Sequence, residues 1–341
     1  MNTVMTRSAS PEPVTAVIDL ASAWLPARMA EVERRLEEQV RGWGPQLGAD
    51  AGETLAAGGK RMRPLLVLLC AGPGAGPSAI RAATAIELVH MATLVHDDVL
   101  DAAPLRRGLP TVVASSGRER AVATGDLLFS RAFAELALGG ESGNGDPAAA
   151  GAPNRQVALL AHASVALARG ELAQRSDAYD TTVTVERYLK RCGLKTASLF
   201  ECACVIGAER PAAEQEALTR FGCEIGLAFQ LLDDVLDVLG PPERTGKARG
   251  TDLLDGTVTL PFILAREEDP SLAELDLRGL DPAGAEAVCE RIASTGSPER
   301  VRAEARDRVG AAKERLRASG VSEGELELLE LVADGVVERY S

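Results

Sequence analysis

Residues 96–101 read His96-Asp97-Asp98-Val99-Leu100-Asp101, and a near copy, Asp233-Asp234-Val235-Leu236-Asp237, follows further along the chain. Each stretch places carboxylates at positions i, i+1 and i+4. On an α-helix, residues i and i+4 share a face one turn apart, so the first and last aspartates of each stretch point the same way. Like charges at this spacing destabilise an isolated helix by about 0.2–0.5 kcal/mol per pair. The pattern therefore favours a compensating hard divalent cation with oxygen ligands.

Magnesium is the ion that two such aspartate clusters suit, with Mn²⁺ as its substitute. Mg²⁺ usually keeps several waters and is held by one or two carboxylates together with substrate phosphates. Two helices that face each other would hold a diphosphate between them through bridging metal ions. The alternative is a pair of solvated acidic faces. Both clusters lie in apolar helical sequence, over residues 88–100 and 225–239, and buried carboxylates need partners, which favours metal binding.

The composition favours helices over sheets. Of the 341 residues, 46% are hydrophobic and only 3% aromatic. Alanine, leucine and glycine are prominent, which suits helices that pack closely through small side chains. The formal net charge is −13, which argues against nucleic acid as a partner.

Cysteine usage and the start of the chain predict a soluble, cytoplasmic protein. The six cysteines form no CxxC pair and no zinc-ligand spacing with the histidines, so we expect buried free thiols in a reducing compartment. Residues 1–13 lack the apolar core of a secretion signal. The longest apolar run, Leu65 to Ala71, is too short to span a bilayer, so no transmembrane segment is expected.

The spacing of apolar residues predicts an all-α protein, a single large helical bundle. Residues 1–15 form a predicted disordered tail, residues 16–341 form one domain, and residues 139–154 form a mobile surface loop. The main predicted helices cover residues 17–40, 65–71, 78–101, 119–138, 155–179, 185–207, 212–239, 299–318 and 323–339.

Basic residues cluster in the sequence around the two aspartate stretches. They are Lys60, Arg63, Arg106, Arg107, Lys195 and Lys247. Any one of them alone is more often a surface charge, but their settings differ from that norm. Two lie in a glycine–proline turn, two follow the first aspartate cluster by one loop, and Lys195-Thr196 interrupts an apolar helix. A site with metal-bound carboxylates and further basic groups is suited to two diphosphates.

The motifs together resemble those of the trans-isoprenyl diphosphate synthases, the polyprenyl synthetase family. The matching segments lie in the family's order across residues 20–340: 59–64, 90–101, 106–111, Gly170-Glu171 with Gln174, 195–197, 230–237 and 246–252. The resemblance implies a bundle of the isoprenoid synthase type with a central active-site cavity. It also implies a homodimer that condenses isopentenyl diphosphate with an allylic diphosphate. Transient membrane contact at product release is compatible with it.

The resemblance implies a role for each matching residue. The main magnesium ligands would be Asp97, Asp101 and Asp233, supported by Asp98, Asp234 and Asp237. The allylic diphosphate would be held by Arg106, Lys195 and Lys247, and isopentenyl diphosphate by Lys60, Arg63, His90 and Arg107. Thr196 and Gln230 would line the reaction centre. For His90 a plain core histidine is the alternative.

One segment departs from the family pattern. Many members carry a lysine two residues after the aspartate of a late Asp-Gly-Lys or Glu-Gly-Lys segment, whereas this chain reads Asp255-Gly256-Thr257. The phosphate contact at that position cannot be a cation. Prenyl transfer is still expected, but the missing cation at position 257 puts the strength of allylic diphosphate binding in question.

The residues before the first aspartate cluster predict a long product of six or more isoprene units, suited to a quinone side chain. A helix over residues 78–101 is about 36 Å long, and the growing chain would run from the aspartates towards its N-terminal end. In the family, bulky aromatics at the positions of Ala92 and Thr93 stop growth early. Both are small here. Ile86, Val89, Phe129 or Phe133 could still form a floor, which leaves a C20 product as the alternative.

Two other functions share part of this motif pattern. A class I terpene cyclase also uses one DDxxD helix, but it normally lacks the second cluster and needs no isopentenyl diphosphate site. A non-catalytic subunit that modulates another synthase would lose aspartates from one or both motifs, and both are intact here. Prenyl transfer remains the favoured interpretation.

Overall fold

The computed structural model describes residues 13–137, 154–240 and 249–338 of the chain. Almost all of the predicted tail and of the predicted surface loop, and Lys247, lie outside the described residues. Within the described residues the regular structure is helical apart from one two-stranded hairpin. The predicted all-α class is therefore confirmed.

The N-terminal half contains eight helices in its described residues. They are α1 (Pro13–Leu20), α2 (Leu25–Val40), α3 (Gly44–Ala56), α4 (Met62–Ala71), α5 (Pro77–Leu100), α6 (Val112–Ser116), α7 (Arg118–Ala137) and α8 (Arg155–Ser176). Most residues of helix α5 are buried, and it packs against α2, α4 and α7. This burial places α5 at the centre of the bundle.

The C-terminal half continues the bundle. Its described helices are α9 (Val185–Cys192), α10 (Ser198–Ile206), α11 (Ala212–Leu239), α12 (Thr251–Leu254), α13 (Leu260–Glu268), α14 (Pro282–Ser294), α15 (Ser297–Arg317) and α16 (Glu323–Glu338). Helix α11 has 28 residues and is the longest of them. It packs against α10 and α15, so both aspartate clusters lie on central helices.

Two of the predicted helices are interrupted. The predicted helix 17–40 breaks at residues 21–24, because Pro26 lies in the first turn of α2 and its ring cannot continue a preceding helix. The predicted helix 185–207 contains one π-helical turn, Gly193–Ala197, between α9 and α10. Helix α3 was not predicted, since Gly44, Gly48 and Gly52 weaken its local helix propensity.

The π-helical turn lies between two glycines of neighbouring helices. A β-carbon at Gly170 of α8 would lie 2.4 Å from the backbone nitrogen of Lys195, and one at Gly226 of α11 would lie 2.6 Å from Cα of Ala197. Only glycine allows such close backbone contact. Helices α8 and α11 therefore hold the widened turn on both sides, and π turns of this kind are frequent at functional sites.

The segment after the first aspartate cluster folds back as a short hairpin. Strand β1 (Leu105–Arg106) pairs with β2 (Leu109–Pro110), and the two-residue turn Arg107-Gly108 has positive φ at both positions, 53° and 78°. Positive φ at both central residues is typical of a type I′ turn, whose twist matches that of the two antiparallel strands. The hairpin directs Arg106 back to the end of α5.

One helix among the described residues, α5, is long and apolar enough to cross a membrane by length and composition. Most of this stretch is buried inside the bundle. A buried core helix of a globular protein meets the same criteria, so the finding is weak evidence for a membrane span. Uninterrupted apolar runs do not reveal this helix, because polar and charged residues lie between its apolar ones.

Candidate active site

The two aspartate clusters lie at the C-terminal ends of α5 and α11. Asp101 and all three aspartates of the second cluster line one polar cavity, whereas Asp97 lines a second, more apolar cavity. The polar cavity has a volume of about 360 Å³. Its carboxylates are Asp101, Asp233, Asp234, Asp237, Asp252 and Asp255. The negative end of a helix dipole disfavours additional anions. So many carboxylates at two such helix ends require nearby cations.

Each aspartate of the first cluster has a basic side chain near it. Nε of Arg106 donates to Oδ1 of Asp98 at 2.8 Å, and Nη2 of Arg175 donates to Oδ1 of Asp101 at 2.6 Å. Nζ of Lys195 lies 4.0 Å from Oδ1 of Asp97. Burial raises the pKa of Asp97 to about 6, with Lys195 acting in the opposite direction. A further positive charge near Asp97 would therefore stabilise its ionised form.

The second cluster contains one deeply buried carboxylate. Oδ1 of Asp234 accepts a hydrogen bond from Nε2 of Gln230 at 2.8 Å, and Oδ2 accepts one from the hydroxyl of Tyr188. Burial, with Asp252 as the next cause, raises the pKa of Asp234 to about 8. Protein donors therefore contact both oxygens of Asp234. Its supporting role at a metal site stays a prediction.

The predicted reaction-centre residues Thr196 and Gln230 are brought together. Oγ1 of Thr196 donates to Oε1 of Gln230 at 2.7 Å, and the amide of Gln230 then donates to Asp234. Both residues line the polar cavity beside Lys195. The π-helical turn is thus connected to the second aspartate cluster by a continuous chain of hydrogen bonds.

The donors around the polar cavity fit magnesium. They are carboxylate oxygens, which Mg²⁺ prefers. No group of three or more His, Cys, Asp or Glu side chains in the described ranges lies close enough to bind a metal by itself. A magnesium ion needs only one or two carboxylates, because water and substrate phosphate usually complete its shell.

The predicted isopentenyl diphosphate residues form a basic region next to the hairpin. Burial lowers the pKa of Arg63 to about 10, which leaves it cationic at neutral pH. Burial and the cations Arg63 and Arg107 hold the pKa of His90 well below its usual range, so His90 is neutral. The guanidinium of Arg107 lies against Gly59, beside Lys60. The four predicted residues therefore share one region of the structure.

One basic residue of the glycine–proline turn serves the fold instead. Nε of Arg61 lies 2.7 Å from Oε1 of Glu33, and its Nη1 lies 2.8 Å from Oε1 of Glu87. These pairs attach the turn to α2 and α5. Arg63 instead lies over the ring of Phe200, 4.5 Å from its centroid.

A second, more apolar cavity of about 360 Å³ lies between α5, α7 and α8. Thr93, Val99, Phe129 and Leu167 are among its lining residues. Ala92, the other predicted chain-length residue, is fully buried in the helix packing, as are Ile86 and Val89. The ring of His96 stacks on Phe129 with 6.0 Å between centroids. Lys195 lines both cavities and so marks their junction.

The sequence matches a known family over most of its length. The sequence model of the family described as polyprenyl synthetase matches residues 45–288. The chain belongs to the polyprenyl synthetase family.

Individual members give the degree of similarity. Heptaprenyl diphosphate synthase component 2 of Geobacillus stearothermophilus is 40% identical over 280 residues, covering 80% of this chain and 83% of that protein. Nonaprenyl diphosphate synthase of Mycobacterium tuberculosis is 34% identical over 278 residues, covering 78% and 79%. The polyprenyl synthase of Caulobacter crescentus, solved with calcium and isoprenyl diphosphate, superposes with a TM-score of 0.83 at 32% identity over 99% of this chain and 100% of that one.

This polyprenyl synthetase contains site residues to which the sequence assigned no role. Glu171 lies 2.5 Å from Nζ of Lys195 and 2.9 Å from Nε of Arg175. The i, i+4 spacing of Glu171 and Arg175 was the available signal. Tyr188 had none, since it meets Asp234 only through the tertiary fold.

Proposed function

We propose that this chain is a magnesium-dependent prenyltransferase. It would condense isopentenyl diphosphate with an allylic diphosphate and release a trans-polyprenyl diphosphate. The observation that carries the proposal is that Asp101, the second aspartate cluster and Lys195 line one polar cavity, and that Lys195 and Asp97 line the apolar cavity beside it. The polar cavity suits a diphosphate, and the apolar cavity suits its hydrocarbon chain.

The reaction needs charge stabilisation more than a nucleophilic side chain. The allylic C–O bond breaks and its electron pair leaves with the diphosphate. Lys195 and Arg106 would hold that diphosphate as its charge develops. Magnesium, when bound to Asp97, Asp101 and Asp233, would supply further Lewis-acid stabilisation of the same charge. The two basic side chains and the metal would thus together stabilise the negative charge of the leaving diphosphate.

The second substrate would be held by fixed cations. Lys60, Arg63 and Arg107, with neutral His90, would bind isopentenyl diphosphate without metal. Its double bond supplies the electron pair for the new C–C bond, and a proton is then lost, most simply to the released diphosphate. Thr196 and Gln230 would line this centre.

The proposed product is long, with six or more isoprene units. The small side chain of Thr93 at the apolar cavity and the long-chain names of the relatives support it. The presence of Phe129 in the same cavity favours the second candidate, a C20 product. Mass spectrometry of products made from a C15 allylic primer distinguishes the two.

We also propose a cytoplasmic homodimer. Val122 of α7, Val165 and Leu172 of α8 and Leu100 at the end of α5 are exposed apolar side chains. Leu100 and Val122 line the apolar cavity, so a second copy would cover its open side. The alternative partner is a second, different protein, because the Geobacillus relative is named component 2 of a heptaprenyl diphosphate synthase.

The test is the activity of the purified chain alone. We expect prenyl diphosphate products from isopentenyl diphosphate, an allylic primer and Mg²⁺, and none in excess EDTA. A cyclic hydrocarbon made from the primer alone would indicate a terpene cyclase. A chain that is inactive alone and active only with a second protein would indicate a subunit. Light scattering of the same sample measures the oligomeric state.

A further inference from the structure

Position 257 lines the polar cavity with a hydroxyl where many members of the family have a lysine. Thr257 lies in the cavity wall among six carboxylates. A substrate diphosphate adds further negative charge to this cavity. The cations that face the cavity therefore decide how tightly the diphosphate binds.

Four basic residues of the described ranges line this cavity, and two of them are committed elsewhere. Arg191 is buried and donates to Oδ2 of Asp177 at 3.1 Å and to the carbonyl of Val258 at 2.7 Å. Arg249 donates through Nε to the carbonyl of Val238 at 2.9 Å, and its Nη1 lies 3.6 Å from Oε1 of Glu286. None of these acceptors lines the cavity. Arg191 and Arg249 thus fix the cavity wall.

Lys195 and Arg175 are the two that remain, and they share one acceptor. Nζ of Lys195 lies 2.5 Å from Oε2 of Glu171, and Nε of Arg175 lies 2.9 Å from Oε1 of the same residue. Arg175 also donates through Nη2 to Asp101 at 2.6 Å. Two nitrogens of its guanidinium are thereby fixed, and Nη1 makes no hydrogen bond to the described residues. The side chain is 39% exposed at the cavity.

We propose that Arg175 binds the diphosphate of the allylic substrate and replaces the cation absent at Thr257. The inference rests on the proposed function. A guanidinium presents planar donors that match a phosphate, and its contacts with Glu171 and Asp101 hold it in place before the substrate arrives. Asp101 is itself a proposed metal ligand, so a diphosphate bound to that metal would lie close to the guanidinium of Arg175.

A purely neutralising role makes the opposite prediction. If Arg175 served only to balance Asp101 and Glu171, its removal would release Asp101 for magnesium. The half-saturating Mg²⁺ concentration would then fall, and diphosphate binding would not weaken. The direction of the change therefore separates the two roles.

The experiment measures binding of inorganic pyrophosphate in the presence of Mg²⁺ by calorimetry, with the full chain. We expect Arg175→Gln to weaken the Kd about tenfold or more, the range of a lost charged hydrogen bond. Arg175→Lys should recover most of it. Arg187→Gln is the matched control, since Arg187 also pairs with two aspartates, Asp177 and Asp180, outside the cavity. It should bind within about twofold of the wild type.

The decisive variant adds the missing lysine. Thr257→Lys in the Arg175→Gln background should restore pyrophosphate binding and the KM for the allylic substrate. Unchanged pyrophosphate binding in Arg175→Gln, or a loss equal to that in Arg187→Gln, overturns the inference. Melting temperatures of all variants identify any that fail to fold. A wild type that binds pyrophosphate yet transfers no prenyl group would contradict the proposed function and leave the role of Arg175 standing.

Discussion

The hydroxyl of Tyr188 donates a hydrogen bond to Oδ2 of Asp234, although the two residues are 46 positions apart in the chain. Both side chains are almost completely buried. Gln230 donates to the other oxygen of Asp234. These bonds fix the end of α11 against α9. Asp233 and Asp237, one turn apart on the same helix, are therefore presented to the cavity in a defined orientation.

Tyr188→Phe should impair metal binding at the second cluster. The change keeps the ring and leaves one buried carboxylate oxygen without its donor, which costs about 1–3 kcal/mol. We expect kcat to fall about tenfold and the half-saturating Mg²⁺ concentration to rise, with the KM for isopentenyl diphosphate unchanged. Tyr179→Phe is the control, because the ring of Tyr179 lies under the guanidinium of Arg278 and its hydroxyl makes no hydrogen bond to a site carboxylate of the described residues. Equal effects of the two variants would refute a positioning role for Tyr188.

Asp97→Ala and Asp233→Ala should each lower turnover by several orders of magnitude while the fold persists. Each removes a proposed magnesium ligand, and no other catalytic group can replace it. Asp307→Ala, at an exposed position of α15, is the control. Steady-state turnover and circular dichroism measure the two effects. Near-normal product formation by either cavity variant, or by the wild type in excess EDTA, contradicts the metal mechanism.

The two groups of basic residues should act on different substrates. Lys60→Ala and Arg107→Ala should chiefly raise the KM for isopentenyl diphosphate, since the guanidinium of Arg107 lies against Gly59, which precedes Lys60 in the chain. Arg106→Ala should affect the allylic substrate more. Each lost charged hydrogen bond costs about 1.5–3 kcal/mol. Kinetics with one substrate varied at a time measure the split, and equal effects on both substrates would show that the partition is wrong.

The raised pKa of Asp97, about 6, predicts a dependence of metal-free stability on pH. A carboxyl whose folded-state pKa lies above its unfolded value binds its proton more tightly in the folded protein. Stability should therefore fall as pH rises from about 4 through 6. Asp97→Asn should make that fall less steep without removing it, because Asp234, with a pKa raised to about 8, contributes a further fall that continues to about pH 8. Mg²⁺ should oppose the fall in the wild type. Melting temperatures measured across this range with EDTA test the sign, and a rise in stability over the same interval would contradict it.

Local sequence predicted the main helices and both aspartate clusters, because apolar spacing and the i, i+4 rule are properties of single helices. The break before α2 needed only the effect of Pro26. The π turn at Lys195 depends on close contacts with Gly170 and Gly226, which lie on other helices. Spacing along one helix cannot reveal such contacts. The partners of Tyr188 and Asp101 were missed for the same reason.

The apolar cavity provides the test of product length. Thr93 lines it one turn before Asp97, so Thr93→Phe should block the growing chain and shorten the product. Thr93→Ser should leave the length unchanged. Ala92→Phe should also shorten it, but Ala92 is fully buried and the larger side chain should cost about 1–3 kcal/mol of stability. Mass spectrometry of the products measures the length. If the wild type makes only C15 or C20 products, or if Thr93→Phe leaves a long product unchanged, the assignment of this cavity to the growing chain fails.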